Sequence, residues 1–155
     1  MIRRAVPTDV FDLMEMGEAF FKEAGWDKHA DFDGESFAMT CGGLIDGGIL
    51  LVGENGVGKL VAMAGAALAP AYWNRKVLTS QELFWYCKPA HRKGLGRQLM
   101  AALEDAVQSC GVTLFSMSAE EGLRGHTLGQ LYARRGYFPA EKLYWKRFEP
   151  VREVA

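Results

Sequence analysis

Apolar residues recur at steps of three and four along Leu95, Leu99, Leu103, Ala106, Val107 and Cys110, while Arg97, Gln98, Glu104, Asp105 and Gln108 fill the opposite face. That spacing predicts an amphipathic helix closed by Gly111. Just before it, Leu83, Trp85 and Cys87 alternate with Glu82, Phe84 and Tyr86 up to Pro89, a period of two that suits a buried, aromatic-rich strand. Strand, short Gly-bearing turn and helix together span residues 81–111, and the remaining elements are read around them.

Residues 2–6 form a short strand candidate, and Pro7-Thr8-Asp9 is a helix start with Thr8 or Asp9 as cap. Val10, Leu13, Met14, Gly17, Phe20, Phe21 and Ala24 then share one face of a first helix. Asp33-Gly34-Glu35-Ser36 can cap a second, weaker helix running through Phe37, Met39 and Leu44. Residues 48–52 and 60–67 read as strands joined around Asn55-Gly56, a hairpin signal. Residues 69–76 read as a loop into the central strand. Beyond the long helix come a strand at 112–117, a polar stretch, a helix at 127–135 stopped by Gly136, a closing hairpin of Tyr137-Phe138 with 143–148, and a tail after Glu149.

The order is strand, two helices, three strands, helix, strand, helix, two strands, with no internal repeat. Composition agrees with one domain over residues 1–155: 49% of the residues are hydrophobic and 24% charged, enough for a proper core. A net charge of −1 argues against general binding to nucleic acid or to a membrane surface. No apolar run is long enough to cross a bilayer. Cys41, Cys87 and Cys110 have no paired spacing and read as reduced thiols of a cytoplasmic protein, Cys87 and Cys110 with a structural role.

The chemistry gathers at His91-Arg92-Lys93-Gly94-Leu95-Gly96-Arg97, where the helix begins. Free N–H groups and the positive end of the dipole meet there, and glycines let a ligand approach the backbone. A phosphate at such a place gains about 0.3–2 kcal/mol from the dipole. Two other phosphate readings fit less well. Gly53 to Lys59 has the P-loop spacing, yet residue 60 is Leu rather than Ser or Thr, and a strand pattern follows. A Rossmann turn would need a third glycine where Leu99 stands, and repeated strand-helix-strand units.

His91-x-x-Gly94-x-Gly96 resembles the Gln/Arg-x-x-Gly-x-Gly/Ala signature of the GNAT superfamily of acyltransferases, with His91 where Gln or Arg is usual. Leu131-Tyr132-Ala133-Arg134-Arg135-Gly136-Tyr137 is similar to the end of that family's last helix, with His126 where an Asn often stands. The resemblance spans nearly the whole chain. It implies an α/β (α+β mixed) fold: a mixed, mostly antiparallel sheet of six to seven strands, splayed between the fourth and fifth, with about four helices. It also implies that acetyl-CoA is the co-substrate. Its pyrophosphate would lie on the backbone from Lys93 through Gly94, Leu95 and Gly96 to Arg97, with His91, Arg92 and His126 nearby. Trp85, Tyr86 and Cys87 would flank the thioester.

Transfer to an amine needs a neutral nucleophile, a stabilised oxyanion and a proton for the leaving thiolate. Backbone N–H groups from Tyr86 to Lys88 are the oxyanion donors this reading offers. Glu82 is a candidate base, directly or through water, and the plainer reading of a salt-bridged strand residue stays open. By resemblance, Tyr132 donates to the CoA sulfur. Phenol and thiol pKa values of about 10 and 8.5 make full transfer uphill by about 2 kcal/mol, so it would act by hydrogen bonding. Its position four residues after Leu128 also admits a core role. Trp26 and His29, in the link that overhangs the acceptor pocket in GNAT folds, are candidate acceptor contacts, or else a surface aromatic and a solvated histidine. Tyr72 and Trp73 are candidates to line that pocket, or else pack over a sheet end. The three histidines lack ligand spacing, so no metal is expected.

The function so implied is N-acetyl transfer from acetyl-CoA to a primary amine, by direct attack in a ternary complex. The acceptor is a small molecule or a peptide, and homodimers are common in the family. The competing reading is a non-catalytic acyl-CoA-binding sensor or interaction module. Thioester consumption over a panel of amines separates the two. The P-loop reading stays as a third alternative, separated by whether ATP rather than CoA shifts the melting temperature.

Overall fold

The computed structural model describes residues 1–119 and 125–148. The elements are β1 (Ile2–Arg4), α1 (Val10–Glu23), α2 (Gly34–Gly47), β2 (Ile49–Glu54), β3 (Leu60–Ala71), β4 (Asn74–Cys87), α3 (Leu95–Ser109), β5 (Leu114–Ser116) and α4 (Gly125–Arg134). The strands form one sheet in the order β1-β2-β3-β4-β5. Neighbours run antiparallel from β1 to β4, while β4 and β5 run parallel.

The period-two pattern of β2 accounts for the layering. Leu50 and Val52 face α1 and α2, packing with Leu13, Met16, Cys41 and Leu44. Ile49 and Leu51 face the other way, against Leu99, Leu103 and Val107 of α3. β3 is buried on both faces, which explains its unbroken apolar sequence from Leu60. Each leucine so enclosed contributes about 1.5–3 kcal/mol through burial. α1 and α2 pack closely: a Cβ added at Gly17 would lie 2.5 Å from the Phe37 ring.

Local signals placed the helix starts. The Asp33 carboxylate accepts from the Ser36 N–H at 3.2 Å and so caps α2. A turn of 3-10 helix over Pro7–Asp9 leads into α1. There the buried Asp9 carboxylate accepts from Arg3 at 2.7 and 2.9 Å and from the Val6 N–H at 2.8 Å. Arg3 also donates to Glu54 at 2.7 Å, tying β1 to β2.

Several sequence expectations are corrected. Residues 69–76 are no loop: β3 and β4 run on to a two-residue connection at Tyr72-Trp73, with Ala71 paired to Asn74. Met39 and Cys110 are exposed rather than core. The closing hairpin is absent, and the described sheet has five strands rather than six to seven. Residues 137–148 carry no regular structure, because Pro139 cuts the first expected strand to two residues and offers no N–H for a ladder. The expected tail after Glu149, and residues 120–124 of the polar stretch, lie outside the described residues.

Candidate functional site

The site is built where β4 parts from β5. Pairing between them is confined to Thr79, Ser80 and Gln81 against Leu114, Phe115 and Ser116. From Glu82 to Cys87 the same edge of β4 has no strand partner among the described residues, which is the splay expected between the fourth and fifth strands. Register decides which backbone groups this edge presents. The Lys88 N–H donates to the Val61 carbonyl at 2.9 Å, so the preceding pair, Cys87 with Ala62, is of the kind whose N–H and C=O groups point away from the partner strand. The same holds for Trp85 opposite Ala64. Of the three expected oxyanion donors, Lys88 and Tyr86 are thus turned into the sheet, and Cys87 faces the opening.

A bulge sets the side chains. Phe84 pairs with Gly65 and Glu82 with Ala66, leaving Leu83 without an opposite residue. The extra residue lets Phe84 face the α1–α2 core while Glu82, opposite Ala66, shares the face that α3 covers. Buried Glu82 accepts from the Ser118 N–H at 3.1 Å, and buried Tyr132 donates from its hydroxyl to the Ser118 carbonyl at 2.7 Å. A cavity of about 30 Å³, room for about two waters, is lined by Glu82, Tyr132, Ser118, Leu83, Trp85 and Phe20 among others. Both catalytic candidates therefore meet around Ser118. No sequence pattern marks Ser118, whose place depends on the parallel β4–β5 pairing that carries the chain beyond β5 beside Glu82.

α4 is held to α3 by its own end. Arg135 and the Tyr137 hydroxyl both bind the Glu104 carboxylate, the latter at 2.9 Å. The Tyr137 ring stacks on Tyr132 at 5.5 Å and Phe115 at 6.2 Å. Burial, then the hydrogen bond to Glu104, push the Tyr137 phenol well above its ordinary range.

At the start of α3, Gly94 has φ +92°, a left-handed conformation that side chains disfavour, and puts no capping side chain over the helix end. The N–H groups of Leu95, Gly96 and Arg97 thus begin the helix without intrahelical acceptors. The Trp85 indole donates to the Gly96 carbonyl at 3.0 Å and locks this turn against β4. Lys93 and Arg97 are exposed at its rim. Arg92 is otherwise employed: it donates to the Cys87 carbonyl at 2.8 Å and to Glu23 at 2.7 Å, and lies over the Tyr86 ring at 5.7 Å. His91 follows β4 in a short 3-10 turn, Pro89–His91. His126 is exposed on α4, with its ring nitrogen 3.1 Å from the Gln130 amide. Burial pushes the Cys87 thiol up from its ordinary range, and the Cys41 thiol up to about 11. Among the described residues, no cluster of side chains suited to a metal occurs.

The acceptor candidates divide. Trp26 lines a second cavity, of about 400 Å³, next to the first. His29 is exposed, its ring 6.4 Å from that of Trp26. Tyr72 and Trp73 sit on the hairpin tip, 96% and 59% exposed. Eight residues of β4, Asn74 to Gln81, lie between Trp73 and Glu82, a span of about 30 Å at strand rise, so these two do not reach the site.

The model of the GNAT acetyltransferase family matches residues 13–137. No curated protein matches the chain. Among solved structures, a predicted acetyltransferase with acetyl-CoA from Clostridium acetobutylicum superposes with TM-score 0.74 at 14% identity, covering 95% of each chain. A GCN5-related N-acetyltransferase from Ralstonia eutropha JMP134 gives 0.70 at 24% identity, covering 95% of this chain and 97% of its own. An aminoglycoside 6'-N-acetyltransferase from Acinetobacter haemolyticus gives 0.69 at 17% identity, covering 97% and 99%. The splayed mixed sheet, the glycine-led helix start beside its open edge and the matched span together place this chain in the GNAT family of acetyltransferases.

Proposed function

We propose that the protein transfers the acetyl group of acetyl-CoA to a primary amine within a ternary complex, as one domain in the cytoplasm. One observation carries the reading: the buried Glu82 and Tyr132 share a small cavity at the point where the exposed edge of β4 leaves β5. The three free cysteines suit a reducing compartment.

The donor set fits the co-substrate. The first N–H groups of α3, with Lys93 and Arg97, hold the pyrophosphate. The outward amides of Trp85 and Cys87 accept an extended, amide-bearing arm as an added strand would. Acetyl-CoA supplies the activated acetyl carbon. The Cys87 N–H then stabilises oxyanion charge, a contribution of about 2.7–4 kcal/mol for a single well-placed donor. Glu82 removes the ammonium proton, directly or through a water in the small cavity. Tyr132 gives up its bond to the Ser118 carbonyl and hydrogen-bonds the sulfur as charge develops. Cys87 stays a neutral thiol, which favours direct attack over a relay through cysteine.

The test is calorimetric titration with acetyl-CoA and with ATP, followed by thiol release over a panel of amines. Micromolar acetyl-CoA binding with amine-dependent thiol release is the expected result. Binding without release from any amine would leave only a CoA-binding module, and indifference to acetyl-CoA would end the reading.

A further inference from the structure

The second cavity differs in chemistry from the first. Phe20, Phe21, Phe32, Phe37 and Phe84 line it with phenyl rings. The Phe37 ring stacks on Phe32 at 5.6 Å and Phe84 at 5.2 Å, so these walls brace one another. Trp26 and Trp145 complete the rim, edge to face at 5.7 Å. No lining side chain among the described residues carries a charge. The polar lining is slight: the Trp26 indole N–H, and a Thr40 hydroxyl already donating to the Ser36 carbonyl at 3.0 Å.

Its volume, about 400 Å³, lies in the usual range for small-ligand sites. Phe20 and Leu83 line both cavities, so the aromatic one adjoins the smaller one, which Glu82 lines. A molecule that spans the two cavities past Phe20 and Leu83 meets, among the described lining residues, the Glu82 carboxylate at one end and hydrocarbon at the other.

We infer that the acceptor is a small monoamine with an aromatic body, its amine directed to Glu82 and its ring held in the Phe20–Phe37–Trp145 cavity. This inference rests on the acetyl-transfer reading above. A polycation would need further carboxylates, because each buried ammonium without a partner is costly, and among the described lining residues of the two cavities Glu82 is the one carboxylate. A peptide would need partners for its own N–H and C=O groups, and the described lining side chains are almost all apolar. Aromatic rings instead gain edge and face contacts beyond simple burial. The reaction balances without any other reactant. The ammonium loses one proton to Glu82, nitrogen bonds to the acetyl carbon, and the C–S bond breaks. The thiolate takes the second nitrogen proton, giving amide and free thiol, and the first proton passes from Glu82 to solvent.

The experiment compares kcat/KM for phenethylamine and tryptamine with that for spermidine, kanamycin and an alanine-led tripeptide, read as thiol release. Phenethylamine binding is measured by calorimetry in parallel. The variant is Trp145→Ala, whose side chain is 74% exposed in a segment without regular structure, so the fold survives its loss. The arylalkylamines are expected to exceed the other acceptors at least 100-fold. The variant is expected to raise their KM about tenfold, leaving the KM for acetyl-CoA unchanged. Equal or better turnover of spermidine, kanamycin or the tripeptide overturns the inference and leaves acetyl transfer standing. Phenethylamine binding that Trp145→Ala weakens, without turnover of any amine, supports the cavity assignment and sinks the transfer reading. Neither binding nor turnover of phenethylamine overturns the inference in every case.

Discussion

Glu82→Gln tests the proposed proton acceptor while keeping the shape of the side chain. Gln has the same shape, and its amide oxygen can still accept the Ser118 N–H now bound at 3.1 Å. The exchange of a charged for a neutral acceptor costs about 1 kcal/mol at that bond, or about 2–4 °C in Tm for a domain of this size. Activity is expected to fall much further. A positioned base contributes about 10²–10⁴-fold, so the barrier rises by about 2.7–5.4 kcal/mol. The assay is kcat/KM for an arylalkylamine from pH 6 to 10, by thiol release, beside a melting curve. Near neutral pH the amine is almost wholly protonated, and the variant must await the small neutral fraction. Its rate is therefore expected to climb about tenfold per pH unit toward the amine pKa of about 10, and the gap from the parent protein to narrow. A variant within threefold of the parent at pH 7, with an unaltered profile, would return Glu82 to the role of a buried strand residue that orders Ser118.

Three further outcomes follow from the geometry. Tyr132→Phe is expected to lower turnover at least tenfold with little change in KM for acetyl-CoA, and to cost about 1 kcal/mol of stability because the Ser118 carbonyl loses its donor. An unchanged rate in stopped-flow assays would remove the acid role. For Gly94→Ala, a Cβ would meet nothing within 4 Å, so only the φ of +92° penalises the change, by about 1–2 kcal/mol. Calorimetry is expected to show acetyl-CoA binding weakened about tenfold, whereas unaltered affinity would move the pyrophosphate away from this turn. Asp9→Asn is expected to cost about 2 kcal/mol at pH 7, since it strips the charge from three hydrogen bonds to a buried carboxylate. Arg3 holds the Asp9 carboxyl below its ordinary range. That stabilisation is fully present above the unfolded value of about 4 and is lost as pH falls through the folded one, so the two melting curves should converge in acid. A gap that persists at pH 2 would assign the loss to shape instead of charge.

Much of the architecture is legible in spacing alone. The three- and four-residue steps of α3, the alternation of β4 from Phe84 to Cys87, and the Asp33 cap are local devices, and each is found where the pattern put it. The glycine-led turn before α3 is legible for the same reason, because a positive φ and a helix start are properties of a few consecutive residues. The bulge at Leu83 is different: only pairing with β3 reveals it, and it decides that Glu82 and Phe84 face opposite sides. Which strand amides face the opening is likewise a matter of register, so Cys87 is selected over its neighbours by a bond from Lys88 to Val61.

Long-range placement accounts for the rest. Tyr72 and Trp73 look like pocket residues by type, and the length of the β3–β4 hairpin carries them away from the site. Trp145, in a stretch that reads as a strand, instead meets Trp26 across a gap of more than a hundred residues. Ser118 has no distinguishing neighbours in sequence and still receives both Glu82 and Tyr132. Periodicity, capping and turn chemistry act over a few bonds, so residue order alone determined most of the elements, their sequence and the glycine-led turn before α3. Which side chains meet, and that an aromatic cavity adjoins the one lined by Glu82 and Tyr132, is set by pairing and packing between distant segments. Only the folded chain could decide that.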